Sequence, residues 1–392
     1  MSDAVTQASD HRNSFARRVL RDTFAQWGAK LGFAWIGTVA VLAVLAPFLA
    51  SSHPYLMRTA QGWSSPLWQH LDWLDLTMLV TSVAVGMAWW LRDRQPVGRL
   101  LVGVLGVALV TTVVTQLTVE TPRAVVFDQY RVGLAQGNIE TAVFAPIPYS
   151  PTDRSRDNPK PLHSPDAEHW FGTDENGSDV LSRMIHGCRI ALSIGLIATG
   201  IALGIGILYG GVMGFFGGWL DIVLMRFLEI FESIPALFLL LTVVAFFGRD
   251  IYLIMVVIGL TSWPGYARFL RAEFLKLRDQ DYIQAALACG LPLRSVLFRH
   301  MLPNGVAPLL VGASFGIATA ILAEATLSFL GLGLIDEPSW GGMLNQAVGP
   351  SGTFALWLAT YPGIAIFFTV FAYNLIGEAL RDAIDPKLET SS

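Results

Sequence analysis

The sequence predicts an all-α polytopic membrane protein with about eight transmembrane helices. Of its 392 residues, 53% are hydrophobic and only 14% are charged, and the mean hydropathy is +0.52. Soluble domains usually carry about 25% charged residues, so the composition excludes one large soluble core. Several stretches without charge are also long enough to cross a bilayer.

The first apolar block covers residues 31–50, which contain no charged residue. At 1.5 Å per residue this block spans roughly 30 Å, the thickness of a bilayer core. A polar and basic segment precedes it, so we expect an uncleaved first span and not a cleavable signal peptide. The other predicted spans lie near residues 74–91, 100–118, 188–216, 222–247, 250–272, 306–332 and 355–379.

Lys and Arg in short loops predict the orientation of the spans. The N-terminus, the 92–99 loop and the 268–299 region are basic, whereas the 333–354 loop has no Lys or Arg. An even number of spans then places both termini in the cytoplasm. By this topology Cys188 and Cys289 lie on opposite sides of the membrane and cannot form a disulfide.

This topology divides the chain into five segments. Residues 119–187 form a long extracytoplasmic loop that is rich in Pro, Asp, Arg and Asn, and we expect little regular structure in its middle, at residues 150–166. The other predicted segments are a cytoplasmic N-terminal segment (1–30), three N-terminal spans (31–118), a membrane core (188–381) and a cytoplasmic tail (382–392).

Residues 281–304, DYIQAALACGLPLRSVLFRHMLPN, form a cytoplasmic loop that is too patterned for a plain connector. Asp281 followed by Gln284 predicts a capping box at the start of a short helix. Gly290 and Pro292 predict its end.

Within this loop Ile283, Ala286 and Leu287 fall on one helical face. A second amphipathic piece is predicted to end at Leu302-Pro303. The small side chains of Ala285 and Ala286 would let another surface approach closely. A helical hairpin without a partner is the alternative interpretation.

The spacing of this loop resembles the cytoplasmic EAA loop of ABC importer permeases. That motif reads Glu-Ala-Ala, three residues, Gly, nine residues, Ile, one residue, Leu-Pro. Gln284 replaces the usual Glu, and His300 stands at the Ile position, where His is common in the peptide-permease branch. The resemblance implies that the matching residues couple the chain to an ATPase, and these are Gln284, Ala285, Ala286, Gly290, His300, Leu302 and Pro303.

A second motif, HWFGTDENGSDVLSRMIHGCRIALSIGL, ends the extracytoplasmic loop. Asp174, Asn176 and Ser178 are spaced like calcium ligands. However, Asp179 stands where the calcium loop needs Gly, and Ile185 where it needs a bidentate Glu, so a calcium site is disfavoured. Asp179 is predicted to begin a helix that leads into the next span.

The same phrase resembles the segment before the second span in permeases of the dipeptide and oligopeptide (DppC/OppC-like) branch. The match includes Gly177, Val180, Leu181, Ser182 and Gly187. Two interpretations are open, a docking lip or gate beneath a binding protein and a plain helix cap. The residues concerned are Phe171, Gly172, Thr173, Asp174, Asp179 and Arg183.

An acidic residue inside a membrane span costs free energy, and it usually pairs with another residue of the protein. Arg226, Glu229 and Glu232 lie near a cytoplasmic end, where we expect them to snorkel or pair structurally. Glu324 is more isolated and should face protein or a water-filled path. Its setting resembles that of the family, which suggests an architectural role or a pathway or gating role.

The sequence also argues against other functions. The net charge is −4 with no basic tail, so nucleic acid is not an expected partner. None of the four lysines follows a glycine, which excludes a Walker A loop, and no HExxH motif or clustered Cys and His appears. We therefore expect no catalytic residue, no metal site and no cofactor in this chain.

The resemblance covers the first span and about residues 165–388, and it implies the type I permease fold of ABC importers. It also implies one permease subunit of an importer for di- or oligopeptides in the bacterial inner membrane, where it contacts lipid and forms half of the translocation pathway. The implied partners are a second permease (DppB/OppB-like), two ATPase subunits that hold ATP and Mg²⁺, and an extracytoplasmic binding protein.

The two spans at 74–118 depart from the family's six-span pattern. The cargo is open, because nickel and glutathione importers share this branch. An ion-gradient-driven secondary transporter is the alternative function. It would need paired acids deep in the bundle, and the sequence shows only Glu324 at depth and no clear internal repeat.

Overall fold

The computed structural model describes residues 18–19, 21–60, 62–91, 97–119, 127–154, 160–333, 337–348 and 353–384. The remainder, including most of the 1–30 segment, the loop arginines Arg92 and Arg94 and the tail from residue 385, lies outside the described residues. The chain divides into two compact units. The first comprises Met1–Gly37, Ala191–Ile335 and Ile364–Ser392, and the second comprises Thr38–Ile190 and Asp336–Gly363.

Helices dominate the described part of the chain. The N-terminal half contains α1 (Trp27–Leu49), β1 (Leu56–Thr59), β2 (Gly62–Ser64), α2 (Pro66–Gln69), α3 (Trp73–Leu91), α4 (Val97–Thr118), α5 (Gln129–Ala135) and β3 (Thr141–Val143). The C-terminal half contains α6 (Val180–Phe216), α7 (Gly218–Glu232), α8 (Ala236–Phe247), α9 (Ile251–Arg278), α10 (Asp281–Ala288), α11 (Leu293–Ser295), a π-helical turn (Val296–Met301), α12 (Leu302–Phe329), α13 (Trp340–Gln346) and α14 (Leu356–Ile384).

Seven of the described helices are long and apolar enough to cross a membrane, namely α1, α3, α4, α6, α9, α12 and α14. Helices α7 and α8 bring the total to eight if they form one broken span. These positions agree with the eight blocks that the hydropathy predicts. Helix α6 begins at Val180, earlier than the predicted 188, so it includes part of the segment assigned to the loop.

The predicted span 222–247 is broken, with a bend of 67° between α7 and α8. Pro235 occupies the N-cap position of α8 with extended backbone angles of φ −60° and ψ 125°. Proline has no N–H to donate, and its ring clashes with a preceding helical turn, which explains a break at this point. Pro264 lies inside the continuous helix α9.

The second unit contains a small antiparallel sheet in the order β2-β1-β3. Strand β3 belongs to the 119–187 loop and pairs with β1, with Leu56 opposite Val143. Helix α5 lies in the same loop. The expectation of little regular structure concerned residues 150–166, and the described part of that stretch contains no helix or strand, while residues 155–159 lie outside the described residues.

Buried ionic contacts hold the second unit together. Arg131 Nη1 lies 2.8 Å from Asp153 Oδ2 and donates to the Pro148 carbonyl at 2.7 Å. Arg189 on α6 forms an ion pair with Asp75 on α3, and its Nε donates to the Ala43 carbonyl of α1 at 2.6 Å. The Arg189 side chain therefore ties three helices of this unit together.

The first unit depends on close contact between α6 and α9. Gly206, Gly210 and Gly214 of α6 are spaced four residues apart and face α9. A Cβ atom at Gly210 would lie 2.3 Å from the Ala267 carbonyl oxygen, and one at Gly214 would lie 2.5 Å from Phe274 Cβ. Small residues at this spacing let membrane helices pack with their backbones close together.

The Arg189–Asp75 contact predicts a specific loss of stability. Substituting Asp75→Ala leaves a buried guanidinium without its carboxylate, which we expect to lower the free energy of unfolding by about 3–5 kcal/mol. Thermal unfolding of the detergent-solubilised chain measures this loss. Glu140→Ala, at the exposed Arg58–Glu140 pair, is the control and should cost less than about 1 kcal/mol. Equal losses in the two variants would contradict the assignment of Arg189 as an anchor.

Candidate functional site

The 281–304 hairpin follows directly from the end of α9. Asp279 caps α9, and α10 begins after the extended residue Gln280. Asp281 is the first residue of α10 and its side chain does not cap the helix, so the predicted capping box is wrong. Gln284 Nε2 instead donates to the Arg278 carbonyl at 2.8 Å, because the last carbonyls of α9 lack helical partners.

Gly290 ends α10 as the sequence predicts. Its φ is +70°, in the left-handed region that favours glycine. The Leu291 N–H donates to the Ala286 carbonyl at 3.2 Å, and the Gly290 N–H donates to the Leu287 carbonyl at 3.0 Å. These two bonds form a Schellman motif. A Cβ at Gly290 would meet no atom within 4 Å, so backbone conformation alone demands glycine here.

The inward face of the hairpin consists of apolar side chains. Ile283 and Ala286 are buried against Leu270 and Phe274 of α9, together with Val296 and Met301. Ala286 is only 7% exposed, so it does not offer the outward contact that was predicted for it. Residues 283 and 286 are one helical turn apart, and both point at α9. Ala285, the residue before Ala286, is exposed.

The second arm of the hairpin does not end at Leu302-Pro303 as predicted. The π-helical turn runs into α12 without a break, so Leu302 and Pro303 lie within one continuous helical run. His300 is half-buried, and its carbonyl accepts a bond from Asn304 Nδ2 at 2.8 Å. The same nitrogen lies 3.3 Å from the Tyr282 hydroxyl, which links α10 to α12.

The outward face of the hairpin is more apolar than the motif indicates. Tyr282, Leu287, Leu291 and Leu293 are exposed beside Gln284 and Ala285. Leu287 was expected on the same helical face as Ile283 and Ala286, but it is exposed because an eight-residue helix buries only a narrow stripe. An exposed group of large apolar side chains is a typical protein-contact surface.

The predicted docking residues of the outer motif are mostly buried in the second unit. Thr173, Asp174, Asp179 and Arg183 are all at most 6% exposed, and Phe171 stacks on Tyr361 with ring centroids 4.0 Å apart. These side chains therefore fold the loop and do not form its outer surface. Their exposed neighbours are Trp170, Glu175 and Asn176.

Gly172 shows why this motif needs its residue types. Its φ is +76°, and a Cβ there would lie 2.6 Å from the His163 carbonyl oxygen. The indole Nε1 of Trp357 donates to the Thr173 carbonyl at 3.0 Å. The motif thus brings a loop, α6 and α14 of one unit into contact.

The two aspartates of this motif each accept bonds from the backbone. Asp174 Oδ1 accepts from the N–H groups of Asn176 and Ser178, both at 2.8 Å. Asp179 Oδ1 accepts from the Ser182 N–H at 2.8 Å and so caps the start of α6. His169 Nδ1 lies 2.9 Å from Asp179 Oδ2. No metal-binding group of three His, Cys, Asp or Glu side chains occurs among the described residues.

Charges in the outer loop shift one another's proton affinities. A hydrogen bond from Lys160 Nζ, 2.8 Å away, lowers the pKa of Glu168, and the same bond raises the pKa of Lys160. The His169 N–H lowers the pKa of Asp166. Burial raises the pKa of Tyr149, whose hydroxyl donates to Glu168. The shifts of Lys160 and Glu168 keep this pair charged at neutral pH.

The acids within the membrane helices also have partners. Glu229 pairs with Arg226 at 2.5 Å, and Glu232 pairs with Arg268 of α9. This agrees with the expected structural role. Glu324 is buried and accepts a hydrogen bond from Ser328 Oγ at 2.6 Å.

The burial difference between the two alanines predicts opposite tolerance to charge. Ala286→Asp places a carboxylate in the apolar cluster, so we expect hydrogen exchange of the hairpin amides to quicken at least about tenfold. Ala285→Asp, one position away on the exposed face, should leave exchange within about twofold. Hydrogen–deuterium exchange of the purified chain measures both. Similar exchange in the two variants would contradict the inward placement of Ala286.

Comparison with known proteins gives a consistent family. Residues 206–390 match the family described as binding-protein-dependent transport system inner membrane component. An inward-facing structure of the MetNI methionine ABC transporter aligns at 18% identity and a TM-score of 0.44, covering 52% of this chain and 97% of its own.

Three relatives match over longer stretches. The dipeptide transport system permease protein DppC of Alkalihalophilus pseudofirmus is 37% identical over 253 residues, 64% of this chain and 82% of that protein. The oligopeptide transport system permease protein OppC of Haemophilus influenzae is 39% identical over 62% of this chain and 78% of its own. The glutathione transport system permease protein GsiD of Pectobacterium atrosepticum is 38% identical over 58% and 75%. This chain therefore belongs to the binding-protein-dependent transport system inner membrane components, as an ABC importer permease of the DppC/OppC type.

Proposed function

We propose that the chain is one of two permease subunits in an importer for short peptides and forms half of its translocation pathway. The relatives transport dipeptides, oligopeptides and glutathione by name, and peptides are the chemistry that these cargoes share. The observation that carries the proposal is the 281–304 hairpin. Its outward face is apolar and exposed, and its inward face packs against α9.

The partner of the outward face is an ATPase subunit. Tyr282, Leu287 and Leu291 would enter a groove on that subunit, with Gln284 at the rim. ATP and Mg²⁺ belong to the two ATPases, so this chain performs no hydrolysis and holds no cofactor. The remaining partners are a second permease and an extracytoplasmic binding protein.

The hairpin is built to transmit force. Ile283 and Ala286 pack on Leu270 and Phe274 at the end of α9, and the π-helical turn continues into α12. A displacement of α10 by the ATPases therefore moves both long helices together. Closure of the ATPases would in this way rock the permease between outward and inward openings.

We infer the membrane orientation from the proposed contact between the hairpin and the ATPases. The chain lies in the bacterial inner membrane with the hairpin and both termini on the cytoplasmic side. The 119–187 loop then faces outward, where Trp170, Glu175 and Asn176 are exposed to a docked binding protein.

Glu324, buried within α12, takes an architectural role or a role in gating.

Affinity purification of this chain in mild detergent, followed by mass spectrometry, tests the assembly. We expect a second permease and a P-loop ATPase to accompany the chain in near-equal subunit amounts. Uptake of labelled di- and tripeptides by the reconstituted assembly should then require ATP and the binding protein. A chain that purifies alone and carries substrate in a proton-dependent way would overturn the proposal.

Gly290 provides a direct test of coupling. Gly290→Val forces a β-branched residue to φ +70°, so we expect ATP-driven peptide uptake to fall roughly five- to thirtyfold, equivalent to about 1–2 kcal/mol. Gly290→Asn is the matched control, because Asn tolerates this conformation, and it should keep most of the uptake. Membrane insertion should be unchanged in both variants. Normal uptake by Gly290→Val would contradict the role of the hairpin.

A further inference from the structure

A narrow apolar groove of about 120 Å³ lies beside the last turns of α6 in the first unit. Its lining consists of apolar side chains and one glycine, from α6, α9, the π-helical turn and α12. Phe274 is buried in its floor, whereas Phe216 and Phe298 are exposed at its edge. Small-molecule sites usually measure roughly 300–1,000 Å³, so this groove suits a section of a flexible hydrocarbon chain better than a compact ligand.

The groove opens on a face of α6 whose composition fits lipid. Leu208, Val212 and Phe216 line the groove, are exposed and follow one another at intervals of four residues. They therefore form one stripe along the helix, which rises about 12 Å from Phe216 to Leu208. The stripe has no polar side chain, and hydrocarbon tails are as apolar as leucine. A path for a hydrated peptide would need polar groups here, so the stripe favours lipid over a transport path.

A guanidinium group lies where the groove meets the end of α6. Arg278, the last residue of α9, comes one turn after Phe274 and so lies on the same side of that helix. Its Nη1 donates to the carbonyl of Phe215, a lining residue, at 3.5 Å. This bond uses one of the five N–H groups of the guanidinium. The other four can donate to an anion at the end of the groove.

Two further arginines flank the exposed ring of Phe298. Arg294 lies four residues before it, Arg299 follows it directly, and both are exposed. Neither they nor Arg278 form an ion pair within the described part of the chain. The edge of the groove therefore carries guanidinium groups without paired carboxylates beside a wholly apolar floor.

We propose that the groove binds one anionic phospholipid, with its phosphate at the three arginines and part of an acyl chain in the apolar groove. Basic side chains at the cytoplasmic ends of membrane helices are typical contacts of acidic lipid headgroups. The proposal rests on the cytoplasmic orientation of the hairpin given under the proposed function. It does not depend on the cargo.

The bound lipid also contacts the hairpin. Leu297 and Leu302 line the groove and pack on the cluster that contains Phe274, Ile283 and Ala286. An acyl chain in the groove adds apolar contacts to this cluster, and local opening becomes rarer as such contacts increase. The lipid therefore stabilises the hairpin that meets the ATPases.

Native mass spectrometry tests the choice of lipid. The full chain, purified in mild detergent with the subunits that accompany it, is titrated with phosphatidylglycerol or with phosphatidylcholine of the same acyl chains. We expect at least about fivefold more retained phosphatidylglycerol, since each arginine near an acidic headgroup contributes roughly this factor. Equal retention of the two lipids would overturn the assignment.

The headgroup contact is tested by combining Arg294→Gln with Arg299→Gln. Bound phosphatidylglycerol should fall at least about tenfold. Lys276→Gln is the matched control, because Lys276 lies two residues from Phe274, about 200° round α9, and 4.0 Å from Glu273. The control should stay within about twofold. An arginine variant that loses its ATPase subunits and keeps its lipid would show that these arginines face the ATPase, against the proposal.

The acyl-chain contact is tested by Leu208→Trp, which places a large ring over the groove. Retained phosphatidylglycerol should fall at least about fivefold, the loss of one or two buried methylene groups. Leu196→Trp is the matched control, since Leu196 is an exposed leucine of α6 three turns away and outside the groove. If Leu208→Trp releases the second permease and leaves the lipid bound, that subunit covers the groove and the proposal fails.

Hydrogen exchange gives a test that needs no variant. In nanodiscs of phosphatidylglycerol and phosphatidylcholine in equal parts, amides of residues 297–302 should exchange at least about twofold more slowly than in pure phosphatidylcholine. Unchanged exchange would contradict the lipid contact with the hairpin.

These measurements separate the lipid site from peptide import, because none of them requires uptake. If the assembly moves no peptide, the proposed function fails while lipid retention still decides the groove. If it moves peptides, but retention ignores headgroup, arginines and Leu208, peptide import stands and the lipid site is overturned.

Discussion

Phe274 joins the 281–304 hairpin to the long helices of the first unit, and glycines make its position possible. A Cβ at Gly214 would lie 2.5 Å from Phe274 Cβ, and one at Gly305 would lie 2.8 Å from Phe274 Cε1. The ring is thus enclosed by α6 and α12 while its other side contacts Ile283 and Ala286. Because packed interiors resist compression, a push on α10 reaches both helices through this side chain and its neighbours in the cluster.

The two sequence motifs differ in which side chains they expose. The 281–304 hairpin keeps Ala285, Tyr282 and Leu291 on its surface, so it suits contact with another protein. The outer motif instead buries Asp174 and Asp179, whose carboxylates accept backbone N–H groups. Buried carboxylates need hydrogen-bond donors, so the folding of this loop alone explains why the motif contains these aspartates, without a binding protein. The same kind of sequence evidence therefore marked a surface in one case and a folded core in the other.

The sequence was enough to predict the membrane spans and the end of a helix. It did not show which side chains point inward or which distant strands pair. Charge-free stretches located the spans, and Gly290 next to Pro292 marked a helix end. The choice between Ala285 and Ala286 as the inward residue depends on where α9 lies, which an eight-residue pattern does not specify. Strand β3 pairs with β1 across more than eighty residues, and strands this short carry no clear alternation. The glycine spacing at 206, 210 and 214 was a readable signal of helix contact that the sequence reasoning missed.

Ion pairing explains why these helices fit an ATP-driven permease better than an ion-driven carrier. A carrier of that kind needs acids that bind and release a cation during transport. Here Asp221 forms a two-pronged contact with Arg271 at 2.5 and 2.6 Å, Asp75 pairs with Arg189, and Glu232 pairs with Arg268. Carboxylates held by guanidinium groups in this way neutralise each other and tie helices together. In the importer proposed above, the energy for movement enters from the ATPases, and the hairpin packed on Phe274 is the element placed to receive it.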